Sequence, residues 1–407
     1  MAVQSPRSIS LACPNIGAEE RRLVDEVLQS THLSCGPMLD RFEEEFAARF
    51  GARFAIGVSS GTAALHLAVL AAGVTDGDLV LTTPFSFVAS ANVILYERAT
   101  PVFVDVDPVT LTIDPDAAIE AMKALVVRSA GWERLLPPRG AGTPGKLRAV
   151  IPVDLFGRIA DLQRLVAAAR ELGITVIEDA CEAVGATLDG VPAGRWGDIG
   201  TFAFFPNKQM TTGEGGMILT DHEPWALLMR SLRNQGRGVD GAWLRHDRLG
   251  YNYRLDDLSA ALGVAQLRRL DELLLARETV AAMYAQRLAS VDGVAPVALA
   301  QERMTIAWFV YMIRVDDDID RNQLSTRLAA RGIDTRPYFW PIHLQSFYRE
   351  RFGFEPGAFP HAEKAGNSLL ALPFHHNLSA EDIEFICAVL EEETAACRTA
   401  LSAGGRR

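Results

Sequence analysis

Through its first half the chain alternates short, nearly continuous apolar runs with longer stretches whose apolar residues recur at helical spacing. FAIGV (Phe54 to Val58), LVLTT (from Leu79), PVFVDV (from Pro101), LRAVIPVDLF (from Leu147) and ITVIEDA (from Ile174) read as strands. Helical patterns lie between several of them, beginning with AALHLAVLAAGV from Ala63. Apolar strands with no polar face, alternating with helices, predict a mostly parallel sheet covered on both sides. Upstream, residues 1 to about 18 look irregular, and helical periodicity begins near Glu19-Glu20. A second helix, MLDRFEEEFAARFG, sets Leu39, Phe42, Phe46 and Phe50 on one face and ends at Gly51.

After Leu255 the pattern changes. A long helical region, LDDLSAALGVAQLRRLDELLLARETVAAMYAQRL, is followed by a strand, AWFVYMIRV from Ala307, and a terminal helix, SAEDIEFICAVLEEETAA from Ser379. The expected division is a large α/β domain with an N-terminal arm over residues 1–254 and a smaller C-terminal α+β domain over 255–407. The tail SAGGRR is expected to be disordered.

Composition changes this picture little. At 407 residues the chain is long enough for two or three domains. A net charge of -11 argues against nucleic acid as the main partner. Five dispersed cysteines with no zinc spacing, no signal-peptide pattern and no apolar run long enough to span a bilayer imply a reducing, cytoplasmic compartment with no membrane partner.

The chemistry centres on Gly200 to Thr220, GTFAFFPNKQMTTGEGGMILT, in which one lysine, Lys208, stands between two apolar runs. A buried ammonium is costly without partners, and a lysine held there can serve as a Schiff-base amine. A surface lysine on a hairpin turn is the plainer reading. Gly213, Gly215 and Gly216 allow the following loop to turn tightly. Asp179 ends an apolar strand, where the ligand crevice of an open α/β sheet lies; there it could hold a proton on a pyridine nitrogen or simply cap a helix. Ser59-Ser60-Gly61-Thr62 precedes the apolar helix from Ala63, an arrangement suited to an anion or to ordinary capping. Phe87 could cover one face of a flat ring, or belong to the core. Two other motifs are weaker. Gly140 to Lys146 fits GxxxxGK, but Leu147 and a following strand replace the Ser/Thr and helix of a nucleotide loop. Asp105-Val106-Asp107 fits the DxD of metal-dependent glycosyltransferases, and turn chemistry at Pro108 accounts for it equally.

Taken in order, SSGTAALHLA, PFSFVASAN, PVFVDVDPVTLTID, VIEDACEAVGA, GDIGTFAFFPNKQMTTGEGGMILTD, LRNQGR and GYNYRLDDLSAALGVAQL resemble the DegT/DnrJ/StrS family of nucleotide-sugar aminotransferases. The resemblance spans about residues 15 to 380. It implies fold type I of the pyridoxal-phosphate enzymes, with a mostly parallel seven-stranded sheet in the large domain. It also implies Lys208 as the Schiff-base lysine, Asp179 as the partner of the pyridine nitrogen, Gly61 and Thr62 on the phosphate, and Phe87 on the ring. Asn252 of GYNYR is expected to reach the cofactor of the other subunit in a homodimer with shared sites. Tyr338 and His343, in TRPYFWPIH, resemble positions edging the sugar pocket, and packing in the small domain explains them equally. No metal is expected.

Three positions depart from the family. Glu182 replaces a Gln or His near the cofactor's phenolic oxygen, as in relatives of perosamine-synthase type. Ala203 replaces a serine that donates to the phosphate, and Asp154 replaces a His. The implied reaction carries an amino group from L-glutamate to a keto sugar linked to a nucleoside diphosphate, a 4-keto-6-deoxyhexose being the leading expectation, with ping-pong kinetics. The alternatives are a pyridoxamine-dependent sugar dehydratase, whose relatives carry His in place of Lys208, and a glycosyltransferase using Asp105 and Asp107.

Overall fold

A computed structural model of the chain describes residues 7–238, 245–298 and 302–404. The N-terminal arm leads into α1 (Ala18–Leu28) and α2 (Pro37–Phe50). Proline at the first turn of α2 and Gly51 in the left-handed conformation (φ 69°) fix its two ends.

The large sheet contains β1 (Phe54–Val58), β2 (Leu79–Thr82), β3 (Thr100–Phe103), β4 (Leu147–Ile151) and β5 (Thr175–Asp179). A small hairpin, β6 (Thr187–Leu188) with β7 (Val191–Pro192), precedes the sheet's last two strands, β8 (Ile199–Ala203) and β9 (Gly216–Thr220). The seven strands run in the order β1-β9-β8-β5-β4-β2-β3, and β9 alone is antiparallel to its neighbours. The mostly parallel seven-stranded sheet expected from the resemblance is therefore present.

Helices cover both faces because successive strand residues point to opposite sides. Ile199 and Ile218 face α3 (Gly61–Ala71), while Phe202, Met217 and Leu219 pack against Phe42 and Phe46 of α2. The helices α4 (Ala89–Tyr96), α5 (Pro115–Val127), α6 (Leu162–Glu171) and α7 (Glu223–Arg233) complete the layers.

The long helical region is two helices, α8 (Asp257–Arg268) and α9 (Leu270–Leu288). They part at Arg269, whose guanidinium is held by Glu20, Asn15 and Glu272. The first of them packs on α1 and α2, burying Ala260, Ala261 and Val264. Beyond lie β10 (Val294–Pro296), β11 (Met304–Thr305), β12 (Tyr311–Val315), α10 (Arg321–Ala330), α11 (Ser346–Phe352), α12 (Pro360–Ser368), β13 (Leu369–Leu372) and α13 (Ala380–Gly404). The strands β10, β12 and β13 form an antiparallel sheet, and β11 joins the small hairpin instead. Of the tail expected to be disordered, Ser402 to Gly404 continue α13, since no breaker precedes Gly404, and residues 405–407 lie outside the described part. No helix among the described residues is long and apolar enough to cross a membrane.

Candidate active site

The C-terminal ends of β1, β5 and β8 open into a cavity of about 450 Å³. Gly61, Thr62, Phe87, Asp179, Glu182, Lys208 and Tyr338 all line it, so the fold brings together most of the residues singled out in the sequence.

Lys208 sits in the turn that links β8 to β9, its N–H bonded to the carbonyl of Phe205 at 2.9 Å. Only 12% of its side chain is exposed, and Nζ lies 3.9 Å from the centre of the Phe309 ring and 3.7 Å from Oε1 of Glu182. The surface-lysine reading is excluded by that burial. Glu182 accepts the N–H of Phe156 at 3.0 Å. Burial pushes its carboxyl above the usual range, and the nearby lysine draws it partly back.

Asp179 closes β5 and caps no helix. Its Oδ2 accepts the hydroxyl of Ser90 at 2.7 Å and its Oδ1 accepts the N–H of Cys181 at 3.2 Å, so both oxygens are held. Ser90 in turn lies 3.0 Å from Ser86. Behind this strand, the buried carboxyl of Asp154 is raised well above the carboxylate range, first by burial and then by the charge of Glu178. Glu178 accepts the N–H groups of Gly194, Trp196 and Gly197, and burial raises its carboxyl against the pull of those bonds. The departure at position 154 thus sets a second buried carboxyl beside the end of β5, with the N–H of Asp154 bonded to the carbonyl of Asp179 at 2.9 Å.

At the start of α3, Ser60 caps the helix by accepting the N–H of Ala63 at 3.1 Å. The first-turn N–H groups of Gly61 and Thr62 have no acceptor within the helix. A Cβ placed on Gly61 would stand 2.6 Å from Cβ of Ala203 and 3.1 Å from Sγ of Cys181. Glycine therefore lets the helix start abut the ends of β8 and β5.

Phe87, 59% exposed, forms part of the wall with Phe309 and Phe339. The Tyr338 ring stacks on Phe309, and burial together with the Glu182 charge raises its phenol. Two expected residues lie elsewhere. Asn252 is exposed, pairs with Asn234 and does not line this cavity. His343 is fully buried, bonded to Glu363 at 3.0 Å and edge-on to Phe359, the packing role rather than a place at the pocket edge. Burial lowers its pKa.

Both acids of the Asp105-Val106-Asp107 motif serve as backbone acceptors. Asp105 accepts the N–H groups of His361 and Ala362 at the start of α12, and Asp107 those of Val109 and Thr110 in its own turn. No cluster of His, Cys, Asp or Glu suited to a metal occurs among the described residues. Ser90 and Phe309 were not read from the sequence as site residues. Ser90 carries a weak signal as a second serine one turn after Ser86, whereas Phe309 sits in a strand-like run with nothing to mark it.

The residues present fit pyridoxal phosphate: a sheltered amine, a fixed carboxylate, a glycine-started helix and aromatic walls. The DegT/DnrJ/EryC1/StrS aminotransferase family matches residues 14–391. A GDP-perosamine synthase from Caulobacter vibrioides is 38% identical over 388 residues, covering 94% of this chain and 98% of that protein. Among solved structures, the aminotransferase TlmJ from Streptoalloteichus hindustanus is similar with a TM-score of 0.84 and 31% identity, covering 95% of this chain and 99% of that one. DesI, solved in the presence of its TDP-sugar product, is similar with a TM-score of 0.83 and 28% identity over 100% of this chain and 97% of that one.

Proposed function

The chain belongs to the DegT/DnrJ/EryC1/StrS aminotransferase family and depends on pyridoxal phosphate, and on that footing we propose that it aminates a nucleotide-linked keto sugar with L-glutamate as donor. A 4-keto-6-deoxyhexose is the sugar we propose, supported by the identity with a GDP-perosamine synthase and by Glu182. The observation that carries the reading is the convergence of Lys208, Asp179 and the Gly61 helix start on one cavity.

When bound, pyridoxal phosphate supplies an aldehyde that condenses with amines and a ring that accepts the electrons released by a departing α proton. Lys208 provides the amine for that condensation. Its Nζ, sheltered in the cavity, would also serve as the base for the donor's α proton. Asp179, oriented by Ser90, would be the carboxylate that keeps the ring nitrogen protonated. Gly61 and Thr62 offer N–H groups to the phosphate. Glu182 sits beside Lys208 and accepts the N–H of Phe156, and its raised carboxyl would be able to hold a proton at the cofactor end of the cavity. Phe87, Phe309 and Tyr338 line the cavity, where the two phenylalanines would limit water at the ring and Tyr338 would contact the sugar. His343 has no part in this account. Asn252 completes the site of a second subunit in a homodimer.

Retention of Lys208 disfavours the dehydratase alternative. The use of Asp105 and Asp107 as backbone acceptors disfavours the glycosyltransferase. The test is release of 2-oxoglutarate from L-glutamate by the cofactor-loaded protein, followed by amination of nucleotide-linked keto sugars. Failure with every 4-keto sugar, together with success on a 3-keto sugar, would overturn the choice of carbon.

A further inference from the structure

Arg277 lies on α9 with 7% of its surface exposed, yet its guanidinium pairs with no carboxylate among the described residues. Its bonds all go to backbone carbonyls. Nη2 donates to Lys208 at 2.8 Å and to Asn207 at 3.3 Å, and Nη1 donates to Phe309 at 3.1 Å and to Trp308 at 3.4 Å. A buried cation without a counter-ion is expensive, and burial pulls its pKa down to about 10, which leaves it charged at neutral pH. A residue needed only to fill space there would be apolar, as Val280 and Ala281 are on the same helix.

The four carbonyls belong to two segments that meet at the lysine. One is the turn bearing Lys208. The other carries Phe309, whose ring lies 3.9 Å from Nζ. Gln209 ties the same parts a second time, donating to the carbonyls of Glu182 at 2.6 Å and Ala307 at 2.7 Å. The planar fork of an arginine can serve four acceptors at once, whereas a lysine's single ammonium cannot span them.

We infer that Arg277 is a positioning residue for Lys208, clamping the lysine-bearing turn to the Phe309 segment so that Nζ enters the cavity from one fixed place. This rests on Lys208 being the cofactor-linking amine proposed above. The clamp acts through backbone, touching neither substrate nor cofactor.

The test compares Arg277→Met, Arg277→Lys and Leu324→Ala, the last a destabilising control in the core of the small sheet. Each is loaded with pyridoxal phosphate, and three quantities are read: melting temperature, visible circular dichroism per bound cofactor, and donor kinetics. In Arg277→Met the absorbance band persists and its circular dichroism falls by about half or more. Its kcat drops between about ten- and a hundred-fold, the cost of a misplaced reacting group. Its donor KM stays within about threefold. Arg277→Lys is intermediate on both, and Leu324→Ala loses melting temperature alone. If Arg277→Met melts lower but keeps wild-type dichroism and kcat, the inference is overturned. Should that variant not fold, wild-type dichroism and kcat in Arg277→Lys overturn it equally. A separate Lys208→Ala sample keeps the two claims apart: an unchanged band there defeats the proposed function itself, whatever Arg277 does.

Discussion

Asp154 is buried beside the charge of Glu178, and its raised carboxyl has a sign that can be measured. Asp154 binds its proton more tightly folded than unfolded, so the stability it contributes is complete below the ordinary carboxylate value of about 3.9 and is lost as pH rises through the raised folded value. Asparagine would imitate the protonated carboxyl, donating toward Glu178 and still accepting the N–H of Ala160. Asp154→Asn should therefore flatten the fall in melting temperature between pH 5 and pH 9, gaining about 2 °C or more at the alkaline end. A parallel fall in both proteins would contradict the raised carboxyl of Asp154. At the cavity, Ser90→Ala removes one hydrogen bond to a charged carboxylate. The expected cost is about 1.5–3 kcal/mol of orientation, read as a ten- to hundred-fold loss of kcat with little change in melting temperature. Neither Lys208 nor Asp179 was distinctive alone, since a turn lysine and a capping acid are ordinary; the order of motifs along the chain marked them. It could not mark Phe309, because an aromatic in a strand-like run is ordinary until distant chain segments meet.

The strands of the large sheet were legible in place but not always in extent: β1 coincides with the apolar run that suggested it, whereas β4 stops at Ile151 and leaves the second half of LRAVIPVDLF outside the strand. Burial on both faces leaves little room for polar residues, so the pattern is clear. Less legible was the break at Arg269, because both flanking segments are helical and the interruption comes from long-range partners such as Glu20. The start of α3 carries the prediction at this scale. Gly61→Ala would place a methyl group 2.6 Å from Cβ of Ala203 and push the helix away from the sheet end. Cofactor affinity should fall about tenfold or more while the fold survives, as overpacking of one contact costs about 1–3 kcal/mol. Titration of the visible band against cofactor concentration reads this directly, and an unchanged affinity would remove Gly61 from the phosphate cradle.

At the scale of the whole molecule, the fold and family place the chemistry, while the sharing of sites between subunits is the proposal that Asn252 carries. Its side chain is exposed and away from the cavity of its own chain, which is where a residue reaching toward a partner should be. Lys208→Ala and Asn252→Ala should each be weakly active or inactive alone. Unfolded together and refolded, half of the dimers would be mixed and each would hold one intact site, restoring about a quarter of wild-type activity. No recovery, with mixed dimers present, would contradict shared sites.

The most direct measurement of the central claim is the absorbance of the cofactor-loaded protein before and after L-glutamate, with Lys208→Ala alongside. The expected result is a visible-violet band that depends on Lys208 and bleaches to a pyridoxamine-like band as 2-oxoglutarate appears. A band that forms equally well in Lys208→Ala would contradict it.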